Sequence, residues 1–410
     1  MKTSQRITAA TVLIIIVVCM SGYTLFIPEI LERTGWISVA RAEDGDENIN
    51  NHPAVEKNES RYNAFLEIKR KVEEKFNEIA LMGTFIDLNG GIHRVLSKRV
   101  VLDVNISSSV YKLYNEHLTA IQATPSEQEW VDESAVNVIA LNEYLREESI
   151  DFVLVNAPRK IDKFNSQLPS GITDYLNSDF DRLLNILCQS NVSVIDLREK
   201  IRHAGLNHYD LFFRTDHHWT PEAGLWATGV IMNKHLQDYM PGGIDLYDNS
   251  NWDITVYNDI FLGSHGRRVG RLYGGLDDFS VISPRFETEL KVIIPQKNWD
   301  RTGSFAETCI DSSRLRKDYY ANNTYTAYIA GTPGVRVSNI YGNGMKCLII
   351  GDSFSQMIVP FISLSFSETY FYDSRFILGT AREHIGEFEP DVVILLSSSY
   401  VSQRLFGFLS

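Results

Sequence analysis

The chain is poor in cysteine, in clustered positive charge and in glycine-rich phosphate loops. Its 410 residues include 4 cysteines, of which Cys19 lies in an apolar stretch while Cys188, Cys309 and Cys347 are far apart. A disulfide-stapled scaffold is therefore excluded. No CxxC pair and no Cys/His cluster with zinc spacing occurs, so no metal is expected. Lys+Arg number 39 against Asp+Glu 52, a net charge of −13 with no long basic run. That balance argues against a nucleic-acid partner, because phosphate binding needs a concentrated basic face. No nucleotide-binding glycine loop is seen, and no cofactor is expected. What is present is 44% hydrophobic residues, enough for a sizeable core in one large α/β domain or two smaller ones.

Residues 7–27 carry no charge, and as a helix of about 1.5 Å rise per residue they would span about 31 Å, the thickness of a bilayer core. Lys2 and Arg6 precede this run, and acidic residues begin at Glu29. The positive-inside rule then makes residues 1–6 a cytoplasmic tail, residues 7–27 a single-pass transmembrane anchor, and everything beyond extracellular. Ala40-Arg41-Ala42 has the form of a signal-peptidase site, the competing reading, but it lies well beyond the apolar run. Residues 28–61 read as an acidic linker and 62–410 as the catalytic domain, opened by an amphipathic helix over 61–80.

From there the pattern alternates. Helices are expected at 136–148, 179–187 and 354–365, and short apolar strands at 152–155, 192–195, 346–350 and 392–396. This implies a doubly wound parallel sheet flanked by helices. Residues 242–340 interrupt it with Gly-, Asn- and Tyr-rich sequence that reads as an insertion of irregular or β structure.

Two segments carry chemistry. In Arg214-Thr215-Asp216-His217-His218-Trp219-Thr220-Pro221, Thr220 reads as an N-cap and Pro221 as the first helical residue, so the Asp/His group sits just before a helix. In Ile349-Ile350-Gly351-Asp352-Ser353, an apolar strand ends as a helix begins, placing Ser353 at a helix N-terminus where main-chain N–H groups stabilise an oxyanion. A serine nucleophile needs a neutral imidazole to take its proton and a carboxylate to hold that imidazole's tautomer. In an extended loop residues i and i+2 share a side, so Asp216 serves His218 while His217 points away. Each motif alone is equally compatible with a helix cap or a satisfied polar cluster, and Asp-His-His also occurs as a metal ligand set.

These two blocks, FFRTDHHWTPEA and LIIGDSFS, resemble the DHHW protein family and, more distantly, the SGNH-hydrolase-like domains of alginate O-acetyltransferases of the AlgX and AlgJ kind. Supporting stretches are FIDLNGG, VLVNAPRKID, VIDLREKI, FLGSHGRRVGRLYGGLDDF and FYDSR, so the likeness covers most of the chain from Tyr62 onward. The resemblance implies an SGNH-like fold with Ser353 as the acyl-accepting nucleophile, His218 as base and Asp216 as its orienting carboxylate. Asp and His precede Ser here, the reverse of ordinary SGNH hydrolases, and a Gly-x-Asn-Asp block is missing. Candidate oxyanion or substrate-binding residues are Gly351, Arg375, Trp219, His217 and Lys160. Against these stand an Arg375–Asp373 surface pair, a core role for Trp219 and ordinary solvation for Arg159 and Lys160. The basic cluster 265–271 either touches an acidic polymer or lines a loop.

The expected function is an extracytoplasmic O-acetyltransferase that modifies a cell-surface or secreted polysaccharide through an acyl-serine. Acetyl-coenzyme A is not expected outside the membrane, so the resemblance implies a membrane-bound O-acyltransferase as donor partner. The alternatives are an SGNH-type carbohydrate esterase, which shares the first half-reaction, and a non-catalytic glycan-binding assembly factor.

Overall fold

The structure, a computed structural model, describes residues 82–103, 108–239, 245–329, 334–373, 376 and 379–398. The expected cytoplasmic tail, anchor, linker and opening helix, and Arg375, lie outside the described residues. Among the described residues no helix is long and apolar enough to cross a membrane.

Along the chain come a small antiparallel sheet, β1 (Val100–Asp103), β2 (Ser108–Lys112) and β3 (Leu118–Thr119), then β4 (Asp151–Asn156) and β5 (Val194–Asp196). A hairpin follows, β6 (Trp252–Phe261) with β7 (Asp277–Pro284). The remaining strands are β8 (Leu290–Ile294), β9 (Trp299–Gly303), β10 (Gly334–Asn339), β11 (Lys346–Gly351), β12 (Glu368–Asp373) and β13 (Val392–Ser397). The longer helices are α1 (Met82–Val95), α2 (Gln128–Glu147), α3 (Leu176–Gln189), α4 (Leu197–His203), α5 (Pro221–His235), α6 (Ser264–Val269) and α7 (Ala381–Phe388).

Eight strands form the main sheet in the order β5-β4-β13-β11-β12-β10-β8-β9. The first five run parallel, with Ile349 of β11 paired to Ile394 of β13 and to Phe371 of β12. Because side chains alternate across a strand, each apolar run fills both faces. Cys347 and Ile349 of β11 join Val392, Ile394 and Leu396 of β13 on the side of α5 and the hairpin. Leu348 and Ile350 join Val393 and Leu395 on the other side, under α2, α3 and α7. α2 buries Val131, Ala135, Val138, Leu141 and Leu145, a helical stripe.

Two sequence expectations are corrected. The sheet is mixed: β10 pairs antiparallel with β12, and β8 and β9 extend it antiparallel, so only five of its eight strands are the parallel, doubly wound part. These three strands lie within 242–340, where polar positions break the apolar runs that mark parallel strands. The helix expected at 354–365 is a 3-10 turn, Ser353–Met357, followed by a short helix Val359–Ile362. Pro360 lacks the N–H and clashes with the carbonyl one turn earlier, so a continuous α-helix cannot run through it. Cys188, Cys309 and Cys347 are free thiols.

Candidate active site

The Asp-His loop is short and closed at its neck. Phe212 bridges Trp219, Phe213 N–H donates to the His218 carbonyl at 3.3 Å, and Thr220 N–H to the Leu211 carbonyl at 2.9 Å. α5 then starts with the Thr220 hydroxyl accepting from Ala223 N–H and Pro221 in the first turn, as the local sequence dictates. On the neighbouring side β11 ends at Gly351, and Asp352 caps the 3-10 turn by accepting from Phe354 N–H at 2.9 Å. Its other oxygen accepts from Ser398 N–H at 3.1 Å, tying the serine turn to the end of β13.

These two pieces meet. The Ser353 Oγ lies 2.7 Å from His218 Nε2, and His218 Nδ1 lies 2.5 Å from Asp216 Oδ1. That Oδ1 also accepts from His218 N–H at 2.9 Å, and Oδ2 accepts from Ser264 N–H at 2.5 Å. Burial alone would raise the Asp216 carboxyl, but the His217 and His218 rings and the Ser264 N–H hold it well below the ordinary carboxylate range. A permanent carboxylate on Nδ1 puts the imidazole proton there and leaves Nε2 as acceptor toward the serine hydroxyl.

His217 does not point away as an extended loop would require. Residues 214–218 form a succession of bends, where the strand rule does not apply. Its side chain is 39% exposed, its Nδ1 sits 3.4 Å from Asp216 Oδ1 and 2.8 Å from Ser264 Oγ, and its ring packs on His218 with centroids 3.7 Å apart. Desolvation and the adjacent His218 ring hold its basicity well below the usual value, so it is neutral. Asp216, His217 and His218 bring potential ligand atoms within 4.8 Å of one another. Each residue nonetheless has a ring nitrogen or carboxylate oxygen engaged in the hydrogen bonds just described, a pattern suited to proton relay.

Other candidates fall elsewhere. Trp219 is buried, with Nε1 donating to the Phe354 carbonyl at 3.1 Å, so it pins the serine turn and offers no face to a sugar. Gly351 is also buried: a Cβ there would come within 2.3 Å of Ser355 Oγ and 2.9 Å of the Leu396 carbonyl, so the position serves close packing. Lys160, 2% exposed, is neither solvated nor free for a glycan; its Nζ donates to the carbonyls of Phe213, Arg214 and Asp216. In the basic cluster 265–271, His265 is buried, Arg268 donates to the Ser108 carbonyl at 2.8 Å, and Arg271 pairs with Asp87 on α1.

Sequence reasoning missed what the stretch 242–340 contributes. Tyr325 stacks on His218, centroids 3.9 Å apart and planes 13° from parallel, and its hydroxyl donates to the Ser353 carbonyl at 3.1 Å. Gly263 lies so close to Asp216 that a Cβ would sit 2.3 Å from the aspartate Cβ. Asp277 opens β7 and accepts from Arg214 N–H at 2.7 Å and from Thr215 N–H at 2.8 Å. Gly263 and Asp277 lie in the stretch FLGSHGRRVGRLYGGLDDF, which supported the resemblance without assigning them a role, and Tyr325 lies in a 3-10 turn that no motif marks; their contacts with the loop become visible only in the fold.

A serine turn at the end of a central parallel strand, met by an Asp-His loop from before α5, defines an α/β domain with a Ser-His-Asp constellation at the carboxyl edge of its sheet. Residues 113–243 match the family described as "SGNH hydrolase-like domain, acetyltransferase AlgX". PatB1 of Bacillus cereus is similar in structure, with a TM-score of 0.59 and 20% identity over 75% of this chain and 99% of that one. A DHHW family protein from Eubacterium siraeum is similar at a TM-score of 0.54 and 17% identity, over 73% of this chain and 92% of that one. No curated protein matches the chain in sequence. The resemblance to DHHW and AlgX-type proteins read from the sequence thus stands, and at these identities the structural likenesses establish the fold.

Proposed function

We propose that the chain is an O-acetyltransferase acting on a cell-surface or secreted polysaccharide through an acetyl-Ser353 intermediate. The observation that carries this reading is the continuous relay from Asp216 through His218 to Ser353, at 2.5 and 2.7 Å. In the first half-reaction His218 Nε2 takes the Ser353 hydroxyl proton as Oγ attacks the acetyl carbonyl. The leaving group then departs with that proton, and acetyl remains on Oγ. The Ser353 N–H, at the first position of its turn where no helical acceptor exists, is the oxyanion donor in this scheme. In the second half-reaction a glycan hydroxyl gives its proton to His218, attacks the acyl carbon and releases the serine oxygen, which regains a proton from His218.

The apolar, uncharged run at 7–27 supports a membrane-anchored enzyme with its catalytic domain outside the cell. A membrane-bound O-acyltransferase would then supply the acetyl group. The test uses the full chain in detergent with an activated aryl acetate, with and without candidate glycans, beside Ser353→Ala and His218→Ala. Acetyl trapped on Ser353 and passed faster to glycan than to water supports the transferase. Serine-dependent release to water that no glycan accelerates makes the protein an esterase. Turnover that survives Ser353→Ala overturns the acyl-serine reading.

A further inference from the structure

The three N–H groups of the Lys160 ammonium match three main-chain carbonyls, those of Phe213, Arg214 and Asp216, all in the catalytic loop. A neutral amine has only two donors, so the three carbonyls are all satisfied only by the charged form; burial pulls the amine down to about 7, while Asp277 and Asp216 favour the charge. From the opposite side Asp277 grips the same loop by its donors: the N–H groups of Arg214 and Thr215, and the Thr215 hydroxyl at 2.5 Å. Thr215 passes the hold onward, because its hydroxyl accepts from Gly263 N–H at 2.8 Å and its carbonyl from Gly266 N–H at 2.8 Å. Lys160 and Asp277 are both buried, and their side chains bond the main chain of residues 213–216 and the Thr215 hydroxyl, away from the Ser353 hydroxyl and the His218 ring. The charged or titratable groups around Lys160 are Asp277, Asp216, Arg214, His117 and His265.

We propose that Lys160 is a positioning residue: with Asp277 it forms a buried clamp, ammonium on carbonyls and carboxylate on N–H groups, that sets the backbone of residues 213–216 and thereby aims His218 at Ser353. The clamp has a physical purpose. A loop of bends has no ladder of its own to satisfy its main chain, so buried side chains must do so. It also explains why a lysine just beyond β4 and an aspartate at the start of β7 belong to one functional unit although more than a hundred residues separate them.

This inference rests on the acyl-serine reading, and its test separates the two. Full-length wild type, Lys160→Met and Asp277→Asn are titrated with phenylmethylsulfonyl fluoride to count reactive Ser353, and aryl acetate turnover is then expressed per titrated site. Positioning predicts that Lys160→Met keeps a reactive serine but loses about 10²-fold in kcat per site with KM little changed, the scale expected for a misplacement of about 1 Å. Asp277→Asn falls in the same direction by about tenfold. A lowered site count with unchanged turnover per remaining site means the clamp is merely structural, and overturns the proposal. So does turnover per site within threefold of wild type. If Lys160→Met yields no folded protein, Asp277→Asn decides by the same criteria. Wild type that is never labelled on Ser353 overturns the acyl-serine reading itself.

Discussion

Asp216→Asn probes the relay most sharply, because the side chain keeps its size while its hydrogen-bonding capacity changes. The carboxylate accepts from three donors: His218 Nδ1–H and His218 N–H on Oδ1, and Ser264 N–H on Oδ2. An asparagine has one acceptor oxygen and one donor amide group. With its oxygen toward His218, the amide faces Ser264 N–H donor to donor. Turned round, the amide meets His218 Nδ1 and drives the ring proton to Nε2, where it blocks proton transfer from Ser353. Loss of one charge-assisted hydrogen bond is worth about 1.5–3 kcal/mol, which is roughly 10- to 150-fold at about 1.36 kcal/mol per decade. Dominance of the wrong tautomer extends the loss toward about 10⁴-fold. Pre-steady-state acetylation of Ser353 by an aryl acetate, normalised to titrated serine, is therefore expected to fall by about 10² to 10⁴. Because Asp216 is held ionised, this loss persists across neutral pH. A variant within threefold of wild type, fully folded and fully titratable, refutes the assigned role of Asp216.

Tyr325→Phe keeps the ring stacked on His218 but loses the bond to the Ser353 carbonyl, and should cost about 2- to 5-fold in turnover, whereas Tyr325→Leu also loses the stack and should cost at least about tenfold. Equal effects in steady-state kinetics contradict a role for the stack. Gly263→Ala drives a methyl into the Asp216 backbone and side chain, and should lower both activity and melting temperature, the latter by the equivalent of about 1–3 kcal/mol. Asp87→Asn loosens the tie from α1 to Arg271 and Tyr320; with Arg271 partly exposed, the expected loss is about 1–2 kcal/mol in urea unfolding, with turnover per site unchanged. Burial pulls His265 and His117 down to about 3, so between about pH 6.5 and pH 3 they are neutral when folded and charged when unfolded. Stability then falls as pH drops through that window, by about 1.4 kcal/mol per unit for each group, and His265→Phe should flatten the slope of urea midpoint against pH.

Some of this protein follows from local sequence alone. The apolar runs that became β4, β11 and β13 are unmistakable because strands buried on both faces carry apolar residues without interruption. Thr220-Pro221 announces the start of α5 through capping chemistry that acts within one turn. The Asp-His and Gly-Asp-Ser blocks are equally legible, since each is contiguous and chemically distinctive. Tertiary structure alone decided the antiparallel edge of the sheet, because β8, β9 and β10 are half-covered strands whose polar positions hide them among loops. Pro360 shortened a helix whose apolar periodicity looked continuous. Above all, the contacts around the candidate site were invisible in one dimension, even though Lys160 was a candidate residue and Gly263 and Asp277 lie in a stretch that carried the resemblance. Lys160, Asp277, Gly263 and Tyr325 act on residues far along the chain, through hydrogen bonds to main-chain atoms and through ring stacking. Neither kind of contact leaves a motif, because every residue has a carbonyl and an N–H, and only the fold determines which of them a buried side chain reaches.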